Sequence, residues 1–197
     1  EEDYQAIFEI CDRSMVRLKR IVDDLLELSR YDSGQVKLER EELALGLLVS
    51  TIADDYRPFI ESQGSQINCD IASCHAYCDP FRIEQVLSNL IGNAVNHNDE
   101  PVVILLRVGT EGDWVVIEVE DNGVGITPKN LDHLFDRFYQ EKKESRNSKS
   151  SSKEKSSGLG LAISKAIVEA HGGTVEVRSK PNVATVFVVR LPAKGES

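Results

Sequence analysis

Three short stretches carry residue types at spacings that could do chemistry. In the first, Asp121-Asn122-Gly123-Val124-Gly125-Ile126 follows an alternating apolar run from Trp114 to Glu120. A carboxylate at a strand end, followed by two glycines one residue apart, suits a loop where backbone approaches a ligand while Asp121 accepts its hydrogen bond. The same turn also occurs as plain loop chemistry. Upstream, Asn89 and Asn93 stand i and i+4 on one face of a helix, an arrangement equally open to capping or solvent exposure. Downstream, Gly158-Leu159-Gly160-Leu161 opens another helix, where a glycine pair alone is an ordinary packing signal.

Taken in this order, with Leu134-Phe135-Asp136-Arg137-Phe138-Tyr139 and Leu28-Ser29-Arg30-Tyr31-Asp32-Ser33-Gly34, the stretches resemble the ATP-binding domain of sensor histidine kinases. That domain belongs to a wider superfamily with gyrase, the heat-shock chaperone ATPases and the mismatch-repair ATPases. The resemblance implies that ATP and Mg²⁺ bind along Asn89, Asn93, Asn96, His97, Asp121, Gly123, Gly125, Ile126, Phe135, Arg137, Phe138, Gly158, Leu159, Gly160 and Leu161. Asp121 would accept the adenine amino hydrogen, which guanine cannot offer at that position. Gly123 and Gly125 would bring backbone near base and sugar. Asn93 would give its side-chain oxygen to Mg²⁺, and Gly158 and Gly160 would present amides to phosphate at a helix N-terminus. Phe135 and Phe138 read as core residues anchoring the base of a lid.

The sequence departs from the family at four places. A Lys followed by an aromatic is replaced by Asn96 and His97, an Arg by Gln140, a glycine by Ser156, and a Gly-rich turn by Asn182-Val183-Ala184-Thr185. Two cationic phosphate contacts are thereby missing, each worth roughly 1.5 to 3 kcal/mol, unless Arg137, Lys142 or Lys143 substitutes. Asn89 stands where the hydrolysing superfamily members carry a water-activating Glu, and an amide cannot act as that base.

The elements that must position these residues follow from periodicity. Residues 3–30 form a helix with a seam of Ile7, Cys11, Ser14, Leu18, Ile21, Leu25 and Leu28, widened by Phe8, Met15, Val22 and Leu26. Such a face calls for a bundle; folding back on its own domain is the alternative. Residues 36–38 alternate like an edge strand, 46–63 form a helix and 66–71 a strand. Asp79-Pro80 caps a helix running to about His97. A hairpin of 102–108 and 114–120, a short helix at 128–135, a helix at 158–171 and a final hairpin of 174–178 and 184–190 complete the count. The expected fold is α+β, a two-layer sandwich whose mixed sheet is covered by helices on one face, preceded by a long amphipathic helix. By the resemblance, 1–33 is the second helix of a dimerisation hairpin and 34–197 the ATP-binding domain.

With 197 residues and a net charge of −10, the chain suits one buried domain plus an appendage and disfavours nucleic acid as a partner. No apolar run nears the roughly 18 residues of a membrane span, so no membrane contact is expected. Opening at Glu1 inside a helical pattern is expected of a segment of a longer protein. None of His75, His97, His133 and His171 stands in a His-Glu context, so the phosphoacceptor is expected elsewhere. The resemblance implies a homodimer through the hairpin, a response regulator as partner, and a cytoplasmic location for this portion. Cys11, Cys69, Cys74 and Cys78 read as buried structural thiols, with zinc and disulfide as alternatives.

The stretch 140–157 is rich in Lys, Glu and Ser without an apolar anchor, and the resemblance makes it the ATP lid. Hydrogen exchange within it should slow only when Mg·ATP is added, and full protection without nucleotide would exclude the lid.

Overall fold

The structure, a computed structural model, describes residues 2–98, 100–140 and 157–194. The expected lid at 140–157 lies outside them apart from its end residues Gln140 and Ser157.

The chain runs through α1 (Glu2–Asp32), β1 (Glu41–Ala44), α2 (Leu45–Ser62), β2 (Gln66–Ile71), β3 (His75–Cys78), α3 (Pro80–Asn96), β4 (Val103–Glu111) and β5 (Trp114–Asp121). It continues through α4 (Pro128–Leu131), α5 (Gly160–Ala170), β6 (Thr174–Lys180) and β7 (Ala184–Pro192). Five strands form a mixed sheet in the order β2-β4-β5-β7-β6, with β2 parallel to β4 and the other pairs antiparallel. A parallel pair needs a long crossover, and α3 lies within the one joining β2 to β4.

Alternation along the strands decides which face is dry. Ile104, Leu106 and Val108 of β4, Val115, Ile117 and Val119 of β5, and Phe187, Val189 and Leu191 of β7 are buried on one face. They pack with Val49 and Ile52 of α2, Ile83, Leu87 and Leu90 of α3, and Ile163 and Ile167 of α5. Each such side chain contributes roughly 1.5 to 3 kcal/mol of transfer free energy. The opposite face buries only Val116 and Val188 of β5 and β7 and otherwise carries ion pairs, Arg107 with Glu118 and Glu120, and Arg190 with Glu176 and Glu111. The expected two-layer α+β sandwich is the fold observed.

Four expectations need correction. Residues 36–38 are not a strand; the edge pairing lies at β1, which pairs with β3 from Glu41↔Cys78 to Ala44↔His75. Strands of four residues are too short to show alternation. The helix expected at 128–135 stops at Leu131 and continues as turns, and that at 158–171 begins at Gly160. Only Cys74 and Cys78 are buried thiols, because Cys11 lies on the outlying part of α1 and Cys69 on the edge strand β2. No group of three metal-ligating side chains occurs among the described residues, and no helix there is long and apolar enough to cross a membrane.

The long helix divides its seam. Leu28 is buried, and Ile21 and Tyr31 pack against the core, while Ile7, Phe8, Met15, Leu18, Val22 and Leu25 stay exposed. The C-terminal end of α1 thus docks on the domain, and the rest presents an uncovered apolar face. Polar contacts reinforce the joint: Arg82 and Gln85 of α3 both bond to Glu27.

One buried node ties the ends of α3 and α5. Asp79 caps α3 by accepting the Arg82 amide, and its other oxygen accepts the Glu39 amide. The Asp79 amide donates to His171 Nε2 at 3.0 Å, and His171 Nδ1 donates to the Ile167 carbonyl at 2.8 Å. This pairing requires neutral imidazole with its proton on Nδ1. Burial pushes the His171 pKa below its ordinary 6.5, with Arg40 and Arg82 adding to the effect and the bond to the Ile167 carbonyl and Asp79 opposing it. The stabilisation from neutral His171 is therefore complete above 6.5 and lost as pH falls toward the lower folded value. Thermal melts should show a loss of stability below about pH 6.5 that is absent in His171→Asn, a variant also less stable at neutral pH by roughly 1 to 3 kcal/mol.

Candidate nucleotide site

β5 delivers Asp121 to the sheet end, where the carboxylate is only 5% exposed. Its Oδ1 accepts the Gly123 amide at 2.9 Å and the Asn98 Nδ2 at 3.3 Å. Oδ2 takes no bond from a described residue, yet Tyr31 Oη is the only sealed, unpartnered side-chain polar atom among them. Asp121 therefore keeps one oxygen open to a donor from outside. Burial raises its pKa above the usual 3.8, while the bonds from Gly123 and Asn98 work against that rise. Thr185, opposite Asp121 in the β5–β7 register and buried, walls the same face.

Asn98 was not among the expected site residues. It follows α3, is buried, and bonds through Nδ2 to the Ala94 carbonyl at 2.8 Å as well as to Asp121. Its Oδ1 accepts the Val124 amide at 2.8 Å. An Asn just past a helix looks like a cap in sequence, and no spacing rule ties it to a loop beyond a hairpin.

The glycines serve packing of the chain on itself. A Cβ at Gly123 would overlap the Asn98 carboxamide, and Gly125, at φ +66°, lies against the Lys180 carbonyl and Pro181. The turn at Asn182 keeps its function without glycine. Asn182 takes φ +58° itself and donates its amide to the Val124 carbonyl at 2.7 Å. The Ile126 amide donates to Ser179 Oγ, so the loop is held from both sides.

On α3, Asn89 Nδ2 donates to the Gly160 carbonyl at 3.1 Å and to Ser164 Oγ at 3.2 Å, fastening α3 to the first turn of α5. Asn93, one turn on, is half-buried and makes no side-chain hydrogen bond with a described residue. Asn96 and His97 are exposed at the helix end. At α5, Leu159 is fully buried and stands at the cap position, where no side chain caps the helix. The Gly160, Leu161 and Ala162 amides of that first turn find no acceptor one turn back among the described residues. From Asn89 to Asn93 is about 6 Å of helix, and Asn98 follows two residues after the helix end at Asn96. The other two motifs thus both bond to α3 or to the residue just beyond its end.

Phe135 packs on the core with Lys165 Nζ 6.0 Å from its ring centre. Phe138 corrects the sequence expectation, being 55% exposed at φ +62°. It anchors through backbone, its amide donating to the Gly158 carbonyl at 2.9 Å. Gly158, at φ +72°, could take no Cβ without approaching Phe138 and Tyr139 backbone to 2.9 Å. The chain on either side of 140–157 is therefore clamped together. Arg137, expected near phosphate, pairs instead with Asp32 of α1 at 2.6 and 2.7 Å, and Ser157 Oγ donates to Asp24 at 3.0 Å.

Comparison with known proteins gives the family and the fold. Residues 78–195 match the family described as histidine kinase-, DNA gyrase B- and HSP90-like ATPase, and the chain belongs to that family. It is 33% identical over 98% of its length to the sensor protein IrlS of Burkholderia pseudomallei, covering 40% of that protein. It is 35% identical over 91% of its length to the sensor histidine kinase CusS of Escherichia coli K12, covering 36% of it. The chain thus spans well under half the length of these curated relatives. The fold matches Acinetobacter baumannii histidine kinase AdeS with a TM-score of 0.77 at 24% identity, over 96% of this chain and 85% of that one. It also matches histidine kinase ThkA, solved with the response regulator protein TrrA, with a TM-score of 0.71 at 22% identity, over 94% and 50% of the two chains. The chain carries the ATP-binding catalytic domain of this family, and its curated relatives are sensor kinases.

Because burial raises the Asp121 pKa, the ionised carboxylate opposes folding at neutral pH, and this penalty fades as pH falls through the folded value. Asp121→Asn keeps the Oδ1 acceptor and should leave the ligand-free melting temperature unchanged or higher. Gly123→Ala, which must displace a buried, triply bonded Asn98, should destabilise by about 1 to 3 kcal/mol. Parallel melts of the two variants check both.

Proposed function

We propose that this chain is the ATP-binding catalytic portion of a two-component sensor histidine kinase. It moves the γ-phosphoryl of ATP to a histidine outside its own 197 residues, and thence to a response regulator. The carrying observation is the α3 spine. One end of it holds Asp121 with a single oxygen open, its middle presents the unengaged Asn93, and Asn89 fastens the uncapped start of α5. An adenine amino group, a divalent cation and phosphate oxygens are the three chemistries these groups accept.

Mg²⁺ suits the donor set. Asn93 offers one hard oxygen, and Mg²⁺ ordinarily takes one or two protein oxygens and completes its shell with phosphates and water. Bound there, it would neutralise charge on the triphosphate. The chain's own residues position rather than react: Asp121 selects the base, the α5 amides receive phosphate at the positive helix end, and Asn89 holds those amides in place. Gly123, Gly125, Ile126, Phe135, Phe138, Gly158 and Leu159 shape the walls.

Residues 1–33 are proposed as one helix of a dimerisation hairpin, its exposed apolar face covered by a second copy, and 34–197 as the catalytic domain with a lid at 140–157. ATP and the regulator place the work in the cytoplasm. Among the four histidines, His171 is closed to phosphorylation by burial and two hydrogen bonds.

A second reading, a nucleotide-responsive module with little kinase activity, is favoured by one observation. Arg137 is engaged by Asp32, while Asn96 and Gln140 supply no positive charge. That exposed pair is worth only about 0 to 1 kcal/mol, so phosphate could displace it.

Calorimetry with Mg·ATP should show binding that strongly exceeds that of Mg·GTP and that Asp121→Asn weakens by roughly tenfold or more. Asp32→Asn, which frees Arg137, should tighten ATP by up to about fivefold. Equal affinity for GTP would remove the adenine assignment. Incubation of the chain alone with γ-labelled ATP should leave it unlabelled, and an acid-labile phosphoprotein would place an acceptor among its four histidines.

A further inference from the structure

We infer that Asn98 is the positioning residue that sets base specificity, by holding the Asp121 carboxylate with one oxygen turned to the ligand. This rests on the reading of Asp121 as the adenine acceptor. Asn98 itself touches only protein in this arrangement.

A carboxylate has two equivalent oxygens and rotates freely unless one is tied. Here Oδ1 receives two donors, the Gly123 amide and Asn98 Nδ2, and Oδ2 receives none from a described residue. The Gly123 amide moves with the loop that carries Asp121, so it cannot by itself orient the carboxylate against the rest of the site. Asn98 can, because its Nδ2 is also anchored to the Ala94 carbonyl on α3. Its Oδ1, holding the Val124 amide, fixes the loop against the same helix. A single buried carboxamide therefore references the base-reading oxygen to the helix bearing Asn89 and Asn93.

The chemistry requires a donor at this place. An acceptor beside Asp121 would repel the carboxylate or capture a proton on it, and a protonated Asp121 would present a donor as readily as an acceptor. It would then accommodate the guanine carbonyl. Asn98 Nδ2 stabilises the ionised form and so preserves acceptor-only character at the base. Packing enforces the arrangement, since any side chain at Gly123 would occupy the space of the Asn98 carboxamide.

The test combines carboxyl titration by NMR in the ligand-free protein with ATP and GTP affinities. In the wild type, the Asn98 side-chain amide resonances should move with pH along the Asp121 titration. Asn98→Ala should raise the Asp121 pKa and reduce the ATP-to-GTP affinity ratio by about tenfold or more, the value of a charge-assisted hydrogen bond. Asn98→Asp keeps the acceptor for the Val124 amide while removing the donor, and should raise the pKa further and lose discrimination as completely. A role confined to bracing the loop would instead weaken ATP and GTP equally and leave the Asp121 titration unmoved. That result, or wild-type Asn98 resonances that ignore the Asp121 titration, would overturn the inference. Discrimination retained in Asp121→Asn would overturn the reading of Asp121 instead, so the two failures are distinct. Should Asn98→Ala not fold, the wild-type titration and Asn98→Asp decide.

Discussion

The shared hydrogen bonds of the Asn98 carboxamide are the constraint on which the site depends. They join the C-terminal end of α3 to the loop after β5, two segments that the sheet alone would leave adjacent but unregistered. Burial gives these bonds their weight, since a buried carboxylate and a buried amide that lose their partners bear the full cost of desolvation. Much local sequence follows from this. Gly123 must lack a Cβ, Gly125 and Asn182 must turn left-handed, and Ser179 must reach the Ile126 amide, all so that the loop can lie against Asn98 and β6 together.

The same helix carries a second constraint at its other end. Asp79 caps α3 and is bonded by the linker amide of Glu39, while His171 receives the Asp79 amide and closes the end of α5. Asn89 joins the two helices again, near the start of α5. α5 is thus fastened to α3 at both of its ends over a common apolar core. This rigidity suits a site that works by position and charge and contributes no nucleophile of its own.

α1 is coupled to this framework asymmetrically. Its last turns are pinned by Leu28, by Glu27 with Arg82 and Gln85, and by Asp32 with Arg137, whereas its earlier turns leave a broad apolar face uncovered. The polar contacts are partly exposed and individually weak. The helix also engages Arg137 through an ion pair and Ser157 through a hydrogen bond, from Asp32 and Asp24 respectively.

Much of this was legible in the sequence. The alternation in β4, β5 and β7, the Asp79-Pro80 cap and the i, i+4 asparagines are local signals, set by the periods of strand and helix and by the conformational limits of single residues. They sufficed for the two-layer α+β fold and for the order of the three motifs. The pairing of β1 with β3 was not legible, because four-residue strands carry too little periodicity. Nor was the exposure of Phe138, nor the engagement of Arg137 by Asp32, which depends on where a distant helix comes to rest. Asn98 is the clearest case. Its type and neighbours announce nothing, and its function exists only because the fold brings the end of α3 beneath a loop more than twenty residues later, where a buried carboxylate needs a donor. Sequence determined which elements form and which residues could do chemistry; tertiary packing decided which polar groups meet in the absence of water, and so which of them are held and which are left open to a ligand.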